Sequence, residues 1–185
     1  MDDRELAERC LSGDQSAIRA FVEQFQGGVF GYCLSQLRHR EDAEDVAQQT
    51  LFRAVRHLHN WDRQRPLKPW VLTIAVNRCR THQSKRSYQE RNIDPVIDVP
   101  VRDAKLGAVG LSEELDFALG TLRDEYRTCF ILFHQQELSI TETAEVMQCP
   151  PGTVKTWLHR ARRELAELLI ERGVVTKDGY ELHRI

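Results

Sequence analysis

The sequence lacks the features that would point to a membrane or secreted protein. No apolar run approaches the roughly 20 residues that a membrane-spanning helix needs, so we expect no membrane insertion. The N-terminal stretch MDDRELAERC begins acidic and has no apolar signal core, which predicts a cytoplasmic protein. The five cysteines are scattered and form no CxxC pair. They indicate reduced thiols of an intracellular protein rather than a disulfide framework.

Glycine and proline are also scarce, with 10 and 6 residues among 185. The alternation of β-branched residues that is typical of strands is nearly absent, and apolar residues recur at helical spacing almost everywhere. The sequence therefore predicts an all-α protein. The first part should contain five helices, at about 3–12, 14–26, 29–39, 41–58 and 70–88. The glycine pair 27–28 is expected to break the chain between the second and third of them. A loop with two prolines, NWDRQRPLKP at 60–69, separates the last two.

The helical periodicity fails between about 92 and 110, where the chain has two X-Pro steps and only small apolar residues. This change predicts two small helical domains joined by a flexible linker. The boundaries that we expect are a first domain at 1–90, a linker at 91–111, a second domain at 112–172 and a C-terminal tail at 173–185. Helices of the second domain are predicted at 112–122, 124–136, 140–147 and 150–172.

The second domain contains the pattern of a helix-turn-helix. Ser139 and Glu142 have the spacing of a capping box, which starts a helix. That helix must stop before Cys149, since a residue that precedes proline avoids the helical region. Pro150 suits the first turn of the next helix, where its missing N–H costs nothing. A short helix, a tight turn and a longer helix predict a helix-turn-helix.

The longer of these helices is purely basic at its start, with no acid between Pro150 and Arg163, although the whole chain has a net charge of −2. At about 100° per residue, one face is apolar and must pack inward: Val154, Leu158, Ala161 and Leu165. The opposite face collects Gly152, Thr156, His159, Arg160 and Arg163, flanked by Lys155 and Arg162. A major groove accepts such a helix, so we favour DNA binding over a merely solvated surface.

A second segment without acids, from Pro66 to Gln89, carries five positive charges and begins beside two tryptophans. Positive charge with exposed aromatic rings is typical of proteins that bind single-stranded nucleic acid, since rings stack on unpaired bases. We expect Trp70 to be a core residue, because it is in phase with Ile74. Trp61 stands at the entrance of the loop, where stacking and core packing are both open.

The sequence offers no site for catalysis, metal or cofactor. His57 and His59 are two residues apart on a helix and point in different directions, which does not favour chelation. No Ser/His/Asp, Cys/His or phosphate-loop pattern has a recognisable context. We therefore expect a DNA-binding protein that is not an enzyme. The five cysteines are expected to be buried structural thiols, with redox control as the alternative.

Three motifs in this order resemble the bacterial RNA polymerase sigma factors of the extracytoplasmic-function (ECF) type. They are DAEDVAQQTLFRAV, PWVLTIAVNRCR and LSITETAEVMQCPPGTVKTWLHRARREL. The resemblance covers nearly the whole chain and implies a region 2-like domain followed by a region 4-like domain. It further implies that the chain binds core RNA polymerase, directs it to promoters and helps to melt the minus-ten element. An anti-sigma factor is an additional partner that this resemblance suggests.

The resemblance also implies roles for individual residues. The residues implied to contact the clamp helices of the largest polymerase subunit are Asp45, Gln48, Gln49 and Phe52. The polymerase flap is a second site that the chain is implied to contact. The residues implied to bind the single-stranded minus-ten element are Trp61, Arg63, Arg65, Lys68, Asn77, Arg78 and Arg80. Of these, Trp61 and Asn77 are implied to line the pocket for a flipped base. The residues implied to bind the minus-thirty-five element, as duplex DNA, are Gly152, Thr153, Lys155, Thr156, His159, Arg160 and Arg163.

One alternative uses the same helix-turn-helix without polymerase. A stand-alone repressor would bind a palindrome as a dimer, with its first domain serving for dimerisation or ligand sensing. The sequence shows no coiled-coil or dimer seam, which counts against this reading.

Overall fold

A computed structural model describes residues 2–92 and 111–175 of the chain, with side chains for 2–88 and 114–175. The described residues are helical and contain no strand, which confirms the predicted all-α fold. We call residues 2–92 the first half and 111–175 the second half. The helices of the first half are α1 (Asp3–Leu11), α2 (Gln15–Leu37), α3 (Arg40–Arg56) and α4 (Leu67–Asn92), with a 3-10 turn at Leu58–Asn60. The helices of the second half are α5 (Leu111–Thr121), α6 (Asp124–Phe130), α7 (Ile140–Met147) and α8 (Pro151–Glu171), with a π-helical segment at Ile131–Gln135.

The predicted start of α2 at Asp14 is confirmed. The Asp14 carboxylate accepts hydrogen bonds from the backbone N–H groups of Ser16 and Ala17, which would otherwise lack partners in the first turn. The Ser16 hydroxyl and the Arg9 guanidinium donate to the same carboxylate. These hydrogen bonds hold the pKa of Asp14 well below its usual range, so the cap stays charged. Gly13 ends the preceding turn with a φ of +82°, a conformation that favours glycine.

The predicted break at Gly27–Gly28 is wrong, because α2 continues through both glycines. Neither glycine has a positive φ, so the pair does not turn the chain. Phe21, Phe25, Val29 and Tyr32 remain in helical phase across it and are all buried. Each glycine costs about 1 kcal/mol relative to alanine inside a helix. Full burial of one aromatic or aliphatic side chain contributes about 1.5–3 kcal/mol, so the packed stripe outweighs the glycines.

Two other helices differ from the prediction in their boundaries. Helix α4 starts at Leu67 rather than at Trp70, because Pro69 falls within the first turn, where no backbone N–H is required. It then continues to Asn92, beyond the predicted end at 88. The helix predicted over 124–136 is α-helical only to Phe130 and then widens into the π-helical segment. Such a widening has no periodicity signal of its own in the sequence.

The two halves share a hydrophobic core. Its buried members include Phe21, Leu51 and Val71 of the first half together with Leu132 and Val146 of the second. A smaller cluster joins α5, α6 and α8, with these buried members: Ala118, Leu119, Leu122, Tyr126, Ala161 and Leu165. The predicted division at 90 and 112 stays a prediction, since residues 93–110 of the linker lie outside the described residues, as do residues 176–185 of the predicted tail. None of the described helices is long and apolar enough to cross a membrane.

Candidate nucleic-acid interface

The helix-turn-helix forms at α7 and α8 as predicted. The Ser139 hydroxyl accepts a hydrogen bond from the Glu142 N–H at 3.2 Å, and the Glu142 carboxylate accepts one from the Ser139 N–H at 2.8 Å. This reciprocal pair is the expected capping box. Gln148 ends α7 in the left-handed region at φ 56°, and extended Pro150 caps the start of α8. The turn therefore reverses the chain within a few residues and fixes α8 against α7.

Helix α8 has the two faces that the sequence predicts. Val154, Leu158, Ala161 and Leu165 are buried, so they anchor the helix in the core. Thr153 is partly buried at the edge of the opposite face. The other residues of that face are exposed: Gly152, Lys155, Thr156, His159, Arg160 and Arg163. Because the anchoring side chains cannot leave the core without a large cost, the exposed face has a fixed orientation. This face can present several cations and hydrogen-bonding groups to a duplex together.

The arginines of α8 differ in how freely they can reach a ligand. An Arg160 Nη1–H donates to the Tyr126 hydroxyl at 2.9 Å, so this arginine supports the second half as well as facing outward. That hydrogen bond raises the pKa of Arg160 above its ordinary value. Arg162 lies 3.1 Å from His134 Nε2 and over the Phe133 ring. Arg163 reaches Glu167 only at 3.7 Å.

The loop before α4 forms one wall of a cavity of about 270 Å³. The lining consists of Asn60, Trp61, Asp62, Arg65, Pro66, Pro69, Trp70, Thr73, Glu145 and Val146. Trp61 is only 6% exposed and packs in the core, yet its ring borders this cavity. Its Nε1–H is buried and has no acceptor among the described residues, so this donor is unsatisfied. Trp61 therefore packs in the core, as one of the two alternatives predicts, and it also borders the cavity, while stacking on a base stays a prediction.

Trp70 differs from its prediction as a core residue. It packs against the core but stays half-buried, and it lines the same cavity as Trp61. Thr73 follows one turn later on the same face of α4 and also lines the cavity. Asn77 is one further turn along, exposed and outside the lining. The structure therefore brings Trp70 and Thr73 to the cavity and does not bring Asn77 there.

The predicted strand-binding cations differ in exposure, since three are exposed and Lys68 and Arg78 are half-buried, and most have protein partners. Arg63 pairs with Glu8 at 3.0 Å, and Arg65 pairs with Asp62 at 3.4 Å and with Glu145 at 3.2 Å. Lys68 donates to the Gln136 carbonyl at 2.5 Å. Further along α4, Arg78 donates to the Gln49 side chain and Arg80 is exposed. Two of these cations, Arg65 and Lys68, are bound by the second half.

The predicted polymerase contacts form one surface on α3. Asp45, Gln48, Gln49 and Phe52 follow the i, i+3, i+4, i+7 spacing of a single helix face, and all four are exposed. Phe52 is 67% exposed, which is unusual for a large aromatic side chain. The opposite face of α3 is buried in the core through Val46, Leu51 and Ala54. We call Asp45, Gln48, Gln49 and Phe52 the α3 face.

Cysteine and histidine side chains in the described part of the chain do not assemble into a metal centre. No group of three or more His, Cys, Asp or Glu residues could hold an ion there. Cys10, Cys33, Cys79 and Cys129 are buried and Cys149 is half-buried, in line with structural thiols. Cys33 and Cys79 have sulfurs 3.7 Å apart, and this contact together with burial raises the pKa of Cys79. Raised thiol pKa values disfavour the reactive thiolate.

Sequence reasoning missed the contribution of the second half to the cavity. Glu145 and Val146 lie on α7, far along the chain from the loop, and they close one side of the cavity. Glu145 is an exposed acid on a short helix, which by itself indicates only a solvated position. The sequence gives no local signal for a contact between residues so far apart.

Comparison with known proteins gives a consistent result. Residues 21–88 match the family described as Sigma-70 region 2, and residues 112–165 match Sigma-70, region 4. The RNA polymerase sigma factor YlaC of Bacillus subtilis is 30% identical over 159 residues, which cover 82% of this chain and 91% of that protein. The ECF RNA polymerase sigma factor SigW of the same organism is 28% identical over 170 residues, with coverages of 85% and 91%. The sigma factor RpoE of Bartonella quintana, solved in complex with the anti-sigma factor NepR, matches with a TM-score of 0.71 and 27% identity over 82% of this chain and 96% of that one.

The orientation of α8 generates a first prediction. Leu158→Ala removes a fully buried side chain and should lower the free energy of unfolding by about 2–5 kcal/mol. Lys155→Ala changes an exposed position and should alter it by no more than about 0.5 kcal/mol. Urea denaturation followed by circular dichroism measures both values. Equal unfolding midpoints for the two variants would mean that the helix faces are assigned wrongly.

Proposed function

Because the chain belongs to the ECF sigma factors, we propose that it binds core RNA polymerase, directs it to specific promoters and helps to melt the minus-ten element. Such proteins are transcription initiation factors rather than enzymes, and they work in the cytoplasm with polymerase and DNA. The observation that carries the proposal is the presence, in one chain, of an exposed basic helix face and a tryptophan-lined cavity beside a basic loop. The first suits duplex DNA, and the second suits an unpaired base.

The α3 face supplies the contact with polymerase. A stripe of two amides, one carboxylate and one exposed phenyl ring can bury an apolar centre within a polar rim, as protein interfaces commonly do. Phe52 is the anchor of this stripe, since a large exposed aromatic side chain gains most from burial. The clamp helices of the largest polymerase subunit are the partner that the family implies. The polymerase flap is the partner proposed for the second half.

Helix α8 reads the minus-thirty-five element in duplex form. Lys155, Thr156 and His159 are exposed near its N-terminal end, the part of a recognition helix that reaches base edges. Arg160 follows His159 directly, Arg163 lies about one turn further, and both suit phosphate or guanine contacts. Gly152 and Thr153, in the first turn, suit backbone contacts to a phosphate. Arg160 is also held by Tyr126, so it offers a fixed guanidinium rather than a freely moving one.

The cavity beside the loop receives a base of the melted minus-ten element. Trp61 and Trp70 offer ring surfaces, and stacking on such rings contributes about 1–3 kcal/mol per base. The Trp61 Nε1–H offers a hydrogen-bond donor that has no acceptor in the described part of the protein. Arg63, Arg65 and Lys68 can hold the phosphates of the strand, and Arg78 and Arg80 extend the positive surface along α4. Asn77 acts on the strand beyond the cavity.

Regulation by an anti-sigma factor extends the proposal. RpoE of Bartonella quintana was solved in complex with NepR, and its chain is similar to this one over 82% of our sequence. We expect a partner of this kind to compete with polymerase for the chain.

A stand-alone repressor and a sigma factor differ in their need for polymerase, which provides the second prediction. Test promoters are obtained by adding the protein and core polymerase to genomic fragments and selecting those that are transcribed. The purified protein alone should bind these fragments weakly, and addition of core polymerase should create sequence-specific binding. Gel-shift titrations at one fixed salt concentration measure both, since electrostatic DNA binding depends steeply on salt. Tight, palindrome-specific binding by the free protein would favour the repressor.

The third prediction concerns the cavity and its loop. Arg65→Ala and Trp61→Phe should leave closed promoter complexes nearly intact and should reduce opening, because both residues act only on the unpaired strand. Trp61→Phe keeps the aromatic packing while it removes the Nε1–H donor, whereas alanine would also hollow the core. Gln64→Ala, an exposed change in the same loop, is the control. Permanganate footprinting of polymerase complexes on paired templates and on templates unpaired at the minus-ten element measures the effect.

Base flipping costs a few kcal/mol, which contacts in the cavity must recover on a paired template. On unpaired templates the opening defect of the two variants should therefore largely disappear. Any loss of base preference should remain. Normal opening and unchanged base preference in both variants would show that the cavity is not the base-binding site.

A further inference from the structure

A tyrosine of α6 is bonded to one arginine on the exposed face of α8. The Tyr126 hydroxyl accepts a hydrogen bond of 2.9 Å from Arg160 Nη1–H, across 34 positions of the chain. We propose that Tyr126 is a positioning residue, which orients the Arg160 guanidinium so that it recognises a guanine in the minus-thirty-five element. The inference rests on the proposed function, since it requires α8 to read this element, and it assigns the way in which one base pair is read.

Packing fixes the Tyr126 ring. The residue is only 5% exposed and belongs to the cluster that joins α5, α6 and α8, which also contains Leu119 and Leu165. The Arg123 guanidinium lies over the ring, 6.0 Å from its centroid. A tyrosine side chain has few rotatable bonds, and close packing restricts them further. The hydroxyl is therefore held at one place beside α8, and it can serve as a fixed acceptor.

Arg160 and Arg163 differ in how much freedom they keep on the same exposed face. Arg163 Nε approaches the Glu167 carboxylate only at 3.7 Å, and the two side chains are 57% and 65% exposed. An exposed ion pair of this kind holds a side chain weakly. Arg160 is tied to a buried hydroxyl instead, so part of its freedom is already lost before DNA binds. Ordering it on DNA therefore costs less than ordering Arg163.

The hydrogen bond to Tyr126 leaves one edge of the guanidinium available. It engages an N–H of Nη1, and an arginine side chain has five N–H donors in one plane. Nε–H and one N–H of Nη2 point in parallel from the edge that does not include Nη1. Two parallel donors of this kind match the O6 and N7 acceptors of guanine in the major groove. Arg160 is exposed, so this edge is accessible to a base.

Orientation matters more for reading a base than for binding a phosphate. Contacts with phosphate oxygens carry no sequence information directly, so a mobile cation such as Arg163 is sufficient for them. Guanine presents O6 and N7 in one plane and from one direction. An arginine that is already oriented can match this direction and fails to match the edges of other base pairs. Arg160 thus reads a base, Arg163 binds a phosphate, and Tyr126 is responsible for the difference.

The test compares base preference among holoenzymes that contain core polymerase and full-length variants. The DNA is a test promoter randomised over its minus-thirty-five element, and sequencing of the bound fragments measures preference at each position. Tyr126→Phe keeps the packed ring and removes only the hydroxyl. It should lower the guanine preference at one position by about threefold or more, the effect of one lost hydrogen bond. Tyr32→Phe removes the hydroxyl of a buried tyrosine in the first half and should leave the preference unchanged.

A double variant separates positioning from general structural damage. Arg160→Ala should lower the guanine preference at the same position by about fivefold or more. Adding Tyr126→Phe to Arg160→Ala should lower it no further, because the hydroxyl acts only through Arg160. Arg160→Lys keeps the charge and loses the planar pair of donors. It should reduce the preference while the dependence of binding on salt concentration stays at the wild-type value.

Nuclear magnetic resonance of the free wild-type chain measures the positioning without a change at Tyr126. The Nε–H order parameter of Arg160 should be higher than that of Arg163, and Arg160→Lys and Arg163→Lys identify the two signals. This measurement decides the question if Tyr126→Phe does not fold. Equal order parameters for the two arginines would overturn the positioning role.

The outcomes distinguish the positioning role from the proposed function. Wild-type holoenzyme without any base preference in the minus-thirty-five element would overturn the reading by α8 that the proposed function assigns. A guanine preference that Arg160→Ala removes and a folded Tyr126→Phe leaves intact would overturn the positioning role alone. A preference that survives Arg160→Ala at every position would also overturn it and leave the proposed function standing.

Discussion

The hydrogen bonds of Gln36 with Thr128 and Arg127 are the contact on which the arrangement of the two halves depends. The Gln36 amide donates to the Thr128 hydroxyl and accepts from Arg127 Nε, so it joins α2 to α6 through a buried polar contact. Leu132 and Val146 of the shared core add close-packed apolar contacts between the halves. In the same arrangement α7 lies beside the loop before α4, where Glu145 pairs with Arg65.

Each proposed surface has a different accessibility in that arrangement. The α3 face and the outer face of α8 are open to solvent, and the cavity at Trp61 is lined on one side by Glu145 and Val146 of the second half. Two cations near the start of α4 have partners in the second half. Arg65 pairs with Glu145, and Lys68 donates a hydrogen bond to the Gln136 carbonyl.

Local signals in the sequence were sufficient for the helix-turn-helix and for the faces of α8. The capping box at Ser139, the proline at 150 and the spacing of Val154 and Leu158 each act within a few residues, so the sequence displays them directly. The continuous helix through Gly27–Gly28 could not be predicted from local propensity, because distant packing outweighs the cost of the glycines. Arg127 and Gln36 are 91 positions apart, and Glu145 meets a loop from the other half. No periodicity or motif predicts such pairs, although the resemblance to sigma factors predicted the family.

Promoter-specific initiation with core polymerase is the central claim, and transcription from purified components tests it most directly. Core polymerase with this chain should start transcripts at discrete positions on the test promoters, and core polymerase alone should not. Absence of discrete starts with the chain present, or the same starts without it, would contradict the account.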